Sequence, residues 1–119
     1  MALVKLNLSG HANAQLDDLG YVFPGSLQVD LQDETLPQKI VEFLSKYITS
    51  GDVVECTMPG LAPLAVIVLT AIHGITGTFP HVRTLKREDT GFVPGGVLDL
   101  QDFRNNVARS KGRANVITL

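Results

Sequence analysis

The chain is 119 residues long, 45% hydrophobic and 18% charged, with Gly 11, Pro 6 and Cys 1. A chain of this size and apolar content buries one core, which excludes a disordered tail and a catalytic domain carrying its own substrate domain. A net charge of -2 argues against coating long nucleic acid by charge alone.

At the start, Val4, Leu6 and Leu8 alternate with Lys5 and Asn7 and end at Ser9-Gly10, which predicts a first strand over Ala2–Leu8. Ala12–Leu19 reads as a short helix closed by Gly20, and Leu27–Leu31 as a second strand. Thr35 with Gln38 three positions on has the capping-box pattern, and Pro37 sits in the first turn, where its missing N–H does no harm. Leu36, Ile40, Phe43, Leu44, Tyr47 and Ile48 then mark one buried helix face, and Gly51 stops the helix. Asp52–Met58 is a third strand, broken by Pro59-Gly60. Leu61–His73 follows as a helix that is apolar almost all round, so it is sandwiched in a core or covered by another subunit. In a chain this small the expectation is a homodimer. Gly74–Pro80 reads as a loop, His81–Arg87 as a fourth strand and Val97–Leu98 as a short fifth. Asp99 or Gln101 leads a last helix with Leu100, Phe103 and Val107 on one side. Residues 1–110 form the single domain, and 111–119 a basic tail.

Strands alternating with helices imply a mainly parallel sheet wrapped on both faces, with ligands outside the carboxyl ends of the strands. Two loops suit that edge: Asn7-Leu8-Ser9-Gly10-His11 after the first strand, and Thr57-Met58-Pro59-Gly60-Leu61-Ala62 after the third. If those strands are neighbours, the loops face each other. Gly10 and Gly60 let backbone approach a ligand, and amides at a helix start favour an anion. The alternative is that both glycines merely shape turns. Neither loop is a GxGxxG fingerprint, and no Walker lysine is present.

Charge is unevenly placed. Residues 1–82 carry three basic and eight acidic residues, whereas residues 83–119 carry seven basic and four acidic. That suits either a solvated helix face and tail, or a small polyanion held partly by the C-terminal third. Arg83, Lys86 and Arg87 stand out, because a guanidinium at Arg83 can fork onto phosphate or else pair with Glu55 or Glu88. His11 can hydrogen-bond a phosphate or move a proton near neutral pH, or simply hydrate. His73 is expected to cap carbonyls or pack, and His81 to lie on a strand surface. The three histidines have no metal-ligand spacing, so no metal or cofactor is expected. The lone Cys56 excludes an internal disulfide and fits a reducing cytosol. The longest apolar run, about 12 residues, falls short of the roughly 20 that span a bilayer, and no signal segment is evident at Met1. A cytoplasmic protein is expected.

The stretch PGLAPLAVIVLTAIHGITGTFPHVRTL (Pro59–Leu85), with LNLSGH (Leu6–His11) before it and VLDLQDFRNNVAR (Val97–Arg109) after it, resembles a small CRISPR-associated family of the Csx type. That family accompanies type III CRISPR systems and is related in fold to the CARF, or Rossmann-like, sensors of cyclic oligoadenylate. The resemblance implies a CARF-like α/β fold and a dimer that binds a cyclic oligoadenylate second messenger, cyclic tetra-adenylate above all. Its ligand shell would be Asn7, Ser9, Gly10 and His11 from the first loop, Met58, Pro59, Gly60, Leu61 and Ala62 from the second, and Arg83. Relatives include ring nucleases that cut the messenger without metal and proteins that sequester it. Only His11 offers a proton acceptor, so the expectation is a sponge that lowers free messenger. The alternatives are a ring nuclease that uses His11, and an interaction subunit that binds no nucleotide.

Overall fold

Residues 2–9, 20–21, 30–89 and 91–111 are described by a computed structural model. The alternation at the start of the chain becomes β1 (Leu3–Asn7), and the short β2 (Gly20–Tyr21) lies beside it. After them come α1 (Leu36–Leu44), β3 (Val53–Thr57), α2 (Ala62–Thr76), β4 (His81–Glu88) and β5 (Gly91–Asp99). The described chain ends in a helical segment of α3 (Leu100–Asp102), a π-helical stretch (Phe103–Ala108) and α4 (Arg109–Lys111). The sheet runs in the order β2-β1-β3-β4-β5. β1, β2, β3 and β4 are parallel, and β5 returns antiparallel to β4. This is a small α/β domain with a mostly parallel sheet, as the alternation of elements predicts.

The register explains which residues are buried. Val4 pairs with Val54 and Leu6 with Cys56, so these four share one sheet face. Leu6, Leu8, Val54 and Cys56 form a single core with Ile40, Leu44 and Ile48 from α1 and its following turn, and with Leu64, Val68, Ala71 and Ile72 from α2. The opposite face carries Lys5, Asn7, Glu55 and Thr57. The predicted helix Ala12–Leu19 and the tail beyond Lys111 lie outside the described residues.

Several predicted elements are corrected. Asp30 and Leu31 lie in a turn region rather than a strand, and residues 27–29 of that predicted strand are outside the described set. The edge strand is instead Gly20–Tyr21, where a helix end was expected. The capping box does not form. Thr35 has helical dihedrals, and its hydroxyl donates to Asp33 Oδ1 at 2.7 Å instead of accepting from the first turn. Gln38 reaches forward to Glu42. The α1 helix also stops at Leu44, whose carbonyl takes the N–H groups of Tyr47 and Ile48. Ile48 stays buried, but Tyr47 is 46% exposed and leaves the predicted stripe. Conversely, α2 runs on to Thr76 and absorbs Gly74. It ends where Gly77, at φ 93, donates to the His73 carbonyl. Among the described residues, no helix is long and apolar enough to cross a membrane.

The fifth strand is nine residues long rather than two. Pro94, Gly95 and Gly96 break the alternation from which a strand is read, because β5 carries an extra residue here. Arg83 pairs with Val97 while Leu85 pairs with Pro94, a bulge opposite Thr84. Thr84 Oγ1 donates to the Gly96 carbonyl at 3.1 Å. A Cβ on Gly95 would sit 2.6 Å from that same oxygen, so the close approach of the strands requires glycine there.

Candidate ligand-binding edge

The β1–β3 pairing sets Asn7 opposite Thr57, so the residues that follow these strands leave the sheet side by side. Both polar side chains point away from the helical core and are buried, Asn7 at 2% exposure and Thr57 at 0%. They form one network. Asn7 Oδ1 accepts from the Ser9 amide at 3.2 Å, the Ser9 hydroxyl at 2.7 Å and the Thr57 hydroxyl at 2.8 Å. Thr57 Oγ1 in turn accepts from the Leu8 amide at 2.9 Å. The network welds the start of the first loop to the end of β3. Thr57 is a site residue that the sequence reading placed in the loop without a role. Its signal was the polar residue two steps beyond Glu55, on the same face.

On the second loop, Met58 and Pro59 are half-buried, and Gly60, Leu61 and Ala62 are exposed. A Cβ added to Gly60 would meet nothing within 4 Å, and its dihedrals do not demand glycine. Leu61, at the N-cap of α2, makes no side-chain capping bond. Pro63 has no N–H, so Ala62 and Leu64 carry the amides of the first turn, beside the positive end of the helix dipole. This edge therefore sets the first-turn amides of α2, which have no partner within the helix, beside a rigid polar base. Gly10 and His11, the other expected ligands from the first loop, lie outside the described residues.

Arg83 continues the row: Cys56 pairs with Val82, and one further step sets Arg83 at the level of Thr57. Its Nε donates to Glu55 Oε2 at 3.3 Å and its Nη1 to the Gly95 carbonyl at 3.3 Å. Of the two expected roles, the pairing with Glu55 is realised, and the guanidinium also fastens the β5 bulge. His81 Nε2 lies 3.4 Å from Asp99 Oδ2. Asp99 Oδ1 accepts from the Asp102 amide and caps the C-terminal helical segment, as its position predicts. His73 packs its ring on Phe79, with centroids 4.2 Å apart. Burial, with a smaller contribution from Glu55, pushes the Cys56 thiol up to about 12. It is an inert core thiol rather than a nucleophile. Among the described residues, no cluster of metal-ligating side chains occurs.

No family model, characterised protein or solved structure matches this chain.

Proposed function

We propose that the chain is a CARF-like protein that binds a cyclic oligoadenylate at the carboxyl edge of β1 and β3 and sequesters it as a sponge. The observation that carries this reading is the parallel β1–β3 register, which brings the two resemblance loops together. Asn7 and Ser9 act by shaping the base, since their side chains bond each other and Asn7 also holds Thr57. Met58, Gly60, Leu61 and Ala62 supply backbone donors and Pro59 shapes their turn; Gly10 and His11, outside the described residues, are the remaining proposed ligands. Amides at a helix start neutralise phosphate without a basic protein, which reconciles an anionic ligand with a net charge of -2.

The active unit is a homodimer. An apolar groove of about 500 Å³ between α1 and α2, lined by Val41, Val66, Thr70 and Ile75 among others, leaves Val66 63% exposed. A second copy would cover it, and a two-fold axis would present two copies of each loop to one symmetric ring.

Titrating purified protein with radiolabelled cyclic tetra-adenylate tests the reading. A retarded, intact ligand is expected. Linear products would make the protein a ring nuclease with His11 as the proton acceptor. No retardation at micromolar protein would leave an interaction subunit.

A further inference from the structure

We infer that the β4–β5 hairpin is a cationic arm that grips the phosphates of the ligand over the carboxyl edge, with Lys86 and Arg87 as its contacts. The location of the ligand rests on the reading above; the arm itself follows from the register. β4 pairs with β3 only at His81 and Val82, yet it continues to Glu88 with β5 alongside. β3 ends at Thr57, level with Arg83. The five residues from Thr84 to Glu88 therefore project past the sheet by about 16 Å. Because β1, β3 and β4 are parallel, they project in the direction in which both loops leave.

Charge along the arm is graded. The stem carries Arg83, Lys86 and Arg87, and the tip Glu88 and Asp89. An anion is thus drawn to the span between Arg83 and Arg87 and repelled from the tip, which keeps it on the sheet side of Glu88. Arg83 is committed to Glu55 and Gly95 and acts as the rigid root of the arm. Lys86 is 72% exposed, and its 3.7 Å contact with Glu88 is too exposed to hold it. Arg87 has no acidic partner among the described residues. By strand alternation, Arg87 shares the face of Arg83, Asn7 and Thr57, whereas Lys86 shares the face of Val82 and Cys56, on the side of α2. The two cations therefore stand about 10 and 13 Å beyond the edge, on opposite faces of the arm. A ligand with phosphates spaced along a ring or chain fits that arrangement; a lone carboxylate would meet only one of them.

The experiment measures binding of cyclic tetra-adenylate and of inorganic triphosphate across a salt series, for wild type, Lys86→Glu, Arg87→Glu and the distant surface variant Lys46→Glu. Circular dichroism confirms that each is folded. Expected is about a tenfold loss for each arm variant, with the salt slope lowered by about one per lost phosphate contact. Lys46→Glu, in the exposed turn that follows α1, should match wild type. If wild type binds the cyclic nucleotide and both arm variants keep its affinity and slope, the arm is overturned while the binding reading survives. If wild type binds only triphosphate, through Lys86 and Arg87, the arm stands and the nucleotide reading falls. Binding of neither probe overturns both.

Discussion

A single amide oxygen at Asn7 receives three hydrogen bonds in a site closed to water. Buried donors left without an acceptor cost more than the bond itself contributes, so this oxygen fixes the loop start. Asn7→Ala should lower stability by about 1–3 kcal/mol, since it removes the buried acceptor of the Thr57 hydroxyl. Urea unfolding measures this. A change within about 0.5 kcal/mol, the usual scale of surface substitutions, would show that the network holds nothing. Cys56 gives a pH-dependent counterpart. Its thiol titrates near about 8.5 in an unfolded chain but is pushed up to about 12 in the core. The folded state therefore holds the proton more tightly. That contribution is complete below the unfolded value and fades as pH climbs towards the folded one, by about 1.4 kcal/mol per pH unit. Cys56→Ala removes this slope. The variant should be the less stable protein at neutral pH, because it leaves a small void, and the gap should narrow near pH 10. A constant gap across the series would mean that the thiol ionises freely in the native state.

Elements fail or hold according to whether their cause is local. Strands β1 and β3 were legible because Val4, Leu6, Val54 and Cys56 alternate onto the core face, and α2 because its apolar run is long and unbroken, even where Val66 stays exposed. The β1–β3 adjacency that makes the site was legible only as a condition on strand order, since no residue pattern states which parallel strands pair. The capping box misled because Asp33 lies two residues before Thr35 and accepts from both its amide and its hydroxyl. Lys39 and Thr35 together hold the Asp33 carboxyl down at about 2. A competing acceptor of this kind is invisible to a motif that begins at Thr35. Strand β5 was hidden because its bulge residues are the ones a strand reading treats as breakers. That bulge makes a coupled prediction. Gly95→Ala must displace the Thr84 hydroxyl and break its bond to Gly96, a loss of about 1 kcal/mol or more. In a Thr84→Ala background the bond is already gone and the hydroxyl no longer obstructs, so the added methyl should cost less. A double-mutant cycle read by thermal unfolding decides it; additive effects would place the strain elsewhere.

For the molecule as a whole, the open question is what covers the outer side of α2. The helix is about 22 Å long, and it buries Leu64, Val68, Ala71 and Ile72 while Val66 and Leu61 remain in solvent. One apolar groove flanks it on the α1 side. Another, of about 290 Å³, lies between Leu69, Phe79, Leu100 and Phe103. A stable interface needs about 1,000 Å² in total, so a dimer through this face must bury both grooves together with α2. Under the proposed dimer, Val66→Glu places a carboxylate at the centre of that face, where burying it unpaired is prohibitive. The same side chain in a monomer lies in water and costs little. The variant should therefore sediment as a folded monomer with an unchanged unfolding midpoint at low protein concentration. It should also bind a two-fold symmetric ring more weakly than wild type, because each monomer then offers one copy of the loops instead of two. A dimer that persists in the variant would put the interface on a different surface. A monomer with undiminished ring affinity would instead show that one edge is sufficient.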